Sequence, residues 1–174
     1  MDQSLLAWAE LLGSALRQKV CGRRVSQPRR DRTVVAAGLS QEVWICRDEF
    51  GVPQVYAETP GDLAFGLGLA VAQDRLWQME TLRRLAAGRL AEFMGDRPLG
   101  GVSLHLPGPT ILAVDHLYRN LRMHTIGREE RTLLPDGGRA ATEGFAAGVN
   151  AWVRQCRPRD LPPEYLFTGI RPEP

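Results

Sequence analysis

The side chains able to do chemistry are few and scattered. Three histidines (His105, His116, His124) and three cysteines (Cys21, Cys46, Cys156) are the natural metal ligands and nucleophiles of the chain. They contain no CxxC pair and fall into no recognisable metal-ligand spacing. Cys46 and Cys156 read as small apolar residues, and Cys21 as a loop thiol. Each histidine lies in or beside a loop or a weakly patterned helix, so none stands out as a general base. No GxSxG elbow is present. A Ser–His–Asp triad assembled only in three dimensions stays open.

Carboxylates give no stronger signal. Asp74 and Glu80 are too far apart along one predicted helix to sit side by side, and Asp48 and Glu49 flank a turn. Nothing forces two carboxyls together, as acid–base chemistry requires. Gly66-Leu67-Gly68 lacks the third glycine and the strand–turn–helix setting of a dinucleotide loop, and no GxxxxGK[ST] occurs. Those glycines read as helix-packing positions.

The elements that must position these residues follow from composition and pattern. The 174 residues are 44% hydrophobic and 24% charged, an ordinary globular balance, and enough chain for one cored domain. A net charge of +2 does not point to a nucleic-acid partner. The early basic residues Lys19, Arg23, Arg24, Arg29, Arg30 and Arg32 read as a solvated linker, with a nucleic-acid-binding module as the rival reading. No apolar run reaches membrane-spanning length. Leu5, Trp8, Leu12 and Leu16 recur at helical spacing, while Asp2 and Glu10 argue against an export signal. Residues 1–36 are therefore expected to be an amphipathic helix plus a basic linker. The location stays open, with the lack of a signal peptide favouring the cytoplasm.

Val43, Ile45 and Arg47 alternate with Trp44 and Cys46. Asp48 to Pro53 supplies turn residues, and Gln54 to Glu58 makes a second strand. A strand pair near residues 42–58 follows. Thr59-Pro60-Gly61-Asp62 is a helix start, with Thr59 as cap and Pro60 at the first position. The helix is predicted to run to about Met94, with Leu69, Ala72, Leu76 and Met79 on one stripe. Glu80 precedes Arg83 and Arg84 at spacings that suit surface ion pairs. Gly66, Gly68 and Gly88 suit that helix only if another backbone packs close or the helix is interrupted. A loop over residues 95–113, a helix near Val114–His124, a strong helix from about Pro135 to Cys156 and one turn near Pro163–Leu166 complete the reading.

One segment carries a family resemblance. Arg47, Asp48, Gly51, Val52, Pro53 and Ala57 match an RD-x-x-GVP-x-I-x-A turn, and Asp62 through Glu92 match D-L-x-x-G-x-G-x-x-x-A-Q-D-R-L-x-Q-M-E-x-x-R-R-x-x-x-G-R-L-A-E. Downstream, Asp115 and Arg119 resemble a D-x-x-x-R element, Phe145 to Ala151 a GVNA helix, Leu161 to Tyr165 an LPPEF element, and residues 171–174 the start of PEPW. Together they resemble the α-subunit of penicillin acylases and acyl-homoserine-lactone acylases, over residues 38–174. Gln54 departs from a common His, residues 101–112 look inserted, and residues 1–36 have no counterpart. The expected domain division is 1–36 and 37–174.

The resemblance implies an α+β, mainly helical chain: part of an N-terminal-nucleophile (Ntn) hydrolase fold. It implies an amidase acting on linear amides of penicillin or N-acyl type. The nucleophile would be the N-terminal Ser of a β-subunit, with its own α-amino group as base. No catalytic, cofactor or metal residue is expected in this chain. The calcium of a complete family member would be held beyond the matched elements. Arg47, Asp48, Asp74, Arg75, Arg83, Arg84 and Glu92 are expected to make buried or half-buried polar contacts. The partner is a β-subunit, with no nucleic acid and no membrane span. The alternative is an inert truncated gene product or a scaffold and binding protein.

Overall fold

A computed structural model describes residues 39–99 and 110–174. The leader 1–36 and His105 lie outside them. The first elements are strands β1 (Val43–Arg47) and β2 (Pro53–Ala57), paired antiparallel with Val43 opposite Ala57 and Arg47 opposite Pro53. The alternation puts Val43, Ile45 and Val55 inward and Trp44, Cys46, Gln54 and Tyr56 outward. Cys46, read as a small apolar residue, is thus exposed, because strand register and not residue type decides its face.

Helix α1 (Pro60–Ala86) lies across the hairpin and is the spine of the fold. The Thr59 side chain accepts the Asp62 N–H at 3.1 Å, as the cap pattern predicts. The helix kinks at Arg75 (φ −134°, ψ 21°) and stops at Ala86, short of the Met94 expected from periodicity. Gly88 ends it: the residue takes φ +63°, and a Cβ there would lie 2.5 Å from the Asp115 carbonyl oxygen. A separate short helix, α2 (Ala91–Met94), carries on the apolar stripe.

Helix α3 (Ile111–Asn120) begins earlier than expected, because Thr110 accepts the Ala113 N–H at 3.2 Å and starts it. It ends before His124, since Arg122 takes a left-handed backbone (φ 54°). Helix α4 (Met123–Leu133), which the sequence pattern did not reveal, follows with no buried residue. Helix α5 (Asp136–Gln155) meets its prediction, and a 3-10 turn (Pro158–Asp160) leads to α6 (Pro163–Thr168).

Helix α5 packs on α1 with almost no gap. A Cβ on Gly68 would overlap the carbonyl of Phe145, and one on Gly148 would overlap the carbonyl of Phe65. Gly66 meets β1 and β2 instead, where a Cβ would lie 2.6 Å from Val43 Cγ1 and 2.5 Å from Val55 Cγ1. The glycines that weaken helix propensity therefore set the distance between backbones. The apolar core follows α1: Phe65, Leu69 and Ala151 under the hairpin, then Ala72, Leu76 and Tyr165, then Leu90, Ile111 and Val114.

Candidate functional site

The polar residues singled out by sequence gather along the second half of α1 and its C-terminal break. Glu80 and Arg84, one turn apart, face inward with side chains 4% exposed each, and Arg84 Nε meets Glu80 Oε1 at 2.5 Å. The surface pair expected at this spacing is therefore buried, because α6 and residue 173 cover that stripe. Arg83 also reaches Glu80, at 3.0 Å, but keeps its side chain 44% exposed. Arg84 Nη1 donates to Glu92 at 2.8 Å and Nη2 to Glu173 at 3.2 Å. The guanidinium plane of Arg84 also sits 5.6 Å from the Phe93 ring centre.

Two further clamps hold the frame. Arg47 Nη1 donates to Asp74 and to the Gly51 carbonyl, both at 2.9 Å, and Nη2 donates to Gln73 at 3.0 Å. This ties the hairpin turn to α1 beside its kink. Asp115, 1% exposed, accepts the N–H groups of Leu90 and Ala91 through its two oxygens at 2.8 Å each. Arg119 Nε donates to the Gly88 carbonyl at 2.8 Å. The D-x-x-x-R element is thus a clasp on the break between α1 and α2. At the other end, Asp62 accepts the Ser40 and Gln41 N–H groups at 2.9 and 3.2 Å.

Of the seven residues expected in buried or half-buried contacts, Arg84 is buried, and Arg47 and Asp48 are partly buried. Asp74, Arg75, Arg83 and Glu92 are exposed. Asp74 meets Arg47, Arg83 meets Glu80 and Glu173, and Glu92 meets Arg84 and Arg89 at the rim of α1, where an arginine stem can cover apolar surface and leave its head in water. The buried Asp62, Glu80 and Asp115 were absent from that expectation. Thr59 beside Asp62 and the arginines beside Glu80 were legible in the sequence, but the Leu90 and Ala91 amides that meet Asp115 were not, and the burial of all three depends on packing.

The electrostatics are those of struts. The Arg89 guanidinium holds the Glu92 carboxyl below the usual range, and Arg83 does the same for Glu173. The Ser40 N–H, with help from Thr59, holds Asp62 down. Burial pushes the Tyr165 hydroxyl up, keeping it protonated. A carboxylate held ionised by guanidinium or amide donors is a poor proton carrier near neutral pH. His116 and His124 are exposed on α3 and α4 and are not brought to these carboxylates. Among the described residues no group of three or more His, Cys, Asp or Glu could hold a metal ion, and no helix is long and apolar enough to cross a membrane.

This frame is shared with known proteins. The penicillin amidase family model matches residues 42–174. The chain belongs to the penicillin amidase family. Penicillin acylase 2 proenzyme of Pseudomonas sp. (strain SE83) is 36% identical over 137 residues, covering 79% of this chain and 16% of that protein. Penicillin G acylase of Escherichia coli is 31% identical over 142 residues, 80% of this chain and 15% of the relative. Acyl-homoserine lactone acylase QuiP of Pseudomonas aeruginosa is 34% identical over 136 residues, 78% of this chain and 14% of the relative. The chain thus spans about a sixth of the length of the curated relatives it matches. The solved thermostable penicillin G acylase from Alcaligenes faecalis superposes with a TM-score of 0.65 at 33% identity, over 78% of this chain and 66% of that chain. The α+β, mainly helical fold with one strand pair is accordingly that of an Ntn-hydrolase segment.

Proposed function

We propose that this chain is the α-side scaffold of an Ntn amidase that hydrolyses linear amides of penicillin or N-acyl type. In this reading the nucleophile comes from a β-subunit. Its N-terminal Ser Oγ adds to the amide carbonyl, and the serine's own α-amine takes the proton. The chain supplies the α1–α5 spine and the arginine clamps that shape the surface the β-subunit meets.

One observation carries this reading. The match fills four-fifths of this chain but only about a sixth of a proenzyme, while it fills two-thirds of a solved acylase chain. A solved chain so much shorter than a proenzyme is the expected product of processing into subunits. The polar residues of the match also act as clamps within the fold, which suits a scaffold better than a reaction centre. No cofactor is assigned to this chain. On the resemblance, any calcium of a complete enzyme would be held by residues beyond the matched elements.

The test is co-expression of the chain with the part of the Pseudomonas proenzyme that lies outside the matched region. Hydrolysis of a phenylacetyl amide or an acyl-homoserine lactone should appear in the pair and not in the chain alone. Turnover by the isolated chain, or an inactive but stable pair, would refute the reading.

A further inference from the structure

Turn tips usually carry polar residues, but the tip between β1 and β2 carries Phe50, 84% exposed, and Val52, 55% exposed. The turn holding them is unusually well tied. Asp48 Oδ1 accepts the Phe50 N–H at 3.0 Å and the Val52 N–H at 2.9 Å. Asp48 N–H donates to the Val52 carbonyl at 3.2 Å, and Gly51 N–H to the Asp48 carbonyl at 3.0 Å. Gly51 takes φ +83°, and Arg47 binds its carbonyl from below.

We propose that this turn is a preorganised docking knob, and that Phe50 seats in an apolar socket of the catalytic companion segment. The proposal rests on the scaffold reading above. A backbone this constrained has little freedom left to lose on binding, so only the rotamers of the phenyl ring need ordering when it is buried. Large aromatic anchors of this kind dominate interface energetics. The companion is the occupant because most of an acylase's length lies outside this chain. A second copy of the chain fits less well. The open groove beside the hairpin, bordered by Glu42, Glu58, Trp44 and Tyr56, lies at the end of the strands away from the turn and has an acidic rim.

The experiment uses the affinity-tagged full chain and the Pseudomonas proenzyme part outside the matched region. Wild type, Phe50→Ser and Leu133→Ser are compared by titration and by thermal melting of the chain alone. Leu133 is 81% exposed on α4, far along the chain from the turn, and serves as a control. Phe50→Ser should weaken association by about tenfold or more, while Leu133→Ser should not. Neither should move the melting temperature of the isolated chain. Equal binding by Phe50→Ser and wild type would overturn the knob while leaving the scaffold reading standing. A melting drop in the isolated chain would make Phe50 a folding residue and also overturn it. Self-association of wild type that Phe50→Ser abolishes would reassign the knob to a second copy. If wild type binds no companion at all, the scaffold reading falls, and the knob with it.

Discussion

Glu173 reaches back across 89 positions to Arg84, Oε1 to Nη2 at 3.2 Å, and closes an ion network whose buried core lies within a single turn of α1. The same carboxylate meets Arg83 at 3.1 Å and Arg89 at 3.5 Å. The C-terminal coil is held by charge against the second half of α1. An arginine so placed is satisfied from three sides, as a buried guanidinium must be.

Removing one partner of the buried pair should be costly. Arg84→Leu leaves Glu80 buried with only the partly exposed Arg83, and should destabilise the chain by about 3 kcal/mol. The double variant Glu80→Leu/Arg84→Leu should recover a substantial part of that loss, since no buried charge is then left uncompensated. Urea denaturation of the wild type, both singles and the double measures this. A double variant no better than the sum of the singles would show that the pair is not coupled.

The same network gives a pH dependence of known sign. Glu92 and Glu173 have their carboxyls held below the usual range, through Arg89 and Arg83 respectively. A depressed carboxyl stabilises the fold above its unfolded value, about 4.3 for glutamate, and the contribution is lost as pH falls through the folded value. Both side chains are nearly half exposed, so solvent screening keeps each contribution small. Melting temperature should fall as acid is added below pH ~4.3. The double variant Glu92→Gln/Glu173→Gln should show a shallower fall, and an identical slope would remove these two residues from the acid response.

Helix contact predicts a size limit at Gly148. Its Cβ position overlaps the Phe65 carbonyl and lies 2.9 Å from Leu69 N, both backbone atoms that cannot swing aside. Gly148→Ala must part α1 from α5 and should cost roughly 1–3 kcal/mol, despite alanine's better helix propensity. Gly137→Ala, in the first turn of α5 with nothing within 4 Å of its Cβ, should be neutral or mildly stabilising. Paired thermal melts decide. Stabilisation at position 148 would mean the helices do not pack this closely.

Tyr165 is 2% exposed, and its hydroxyl finds no hydrogen-bond partner among the described residues. Its ring packs edge-on to Trp77 with centroids 5.1 Å apart, so the apolar part is well placed. Tyr165→Phe removes a buried unpaired hydroxyl and should stabilise the isolated chain by about 1 kcal/mol. A clear loss of stability would reveal a hydroxyl partner in solution and make this tyrosine a bonded core residue.

Local rules carried much of this protein. The hairpin, the Thr59 cap, the start of α1 and the extent of α5 were legible, because alternation, capping and periodicity act within a few residues. The order of motifs was legible too, and with it the family. Other features needed the tertiary structure. Periodicity could not see that α1 stops at Ala86, because the stop depends on Gly88 fitting under the Asp115 carbonyl. Helix α4 was hidden, because its residues are mostly charged or polar and Gly127 lies in its middle, so neither apolar content nor propensity marked it as a helix. Spacing alone placed Glu80 and Arg84 together, but it could not say they were buried. That was decided by α6 and Glu173, which arrive from the far end of the chain. The sequence by itself determined which charges could pair. The tertiary structure decided which pairs lost their water, because desolvation is a property of everything packed around a group.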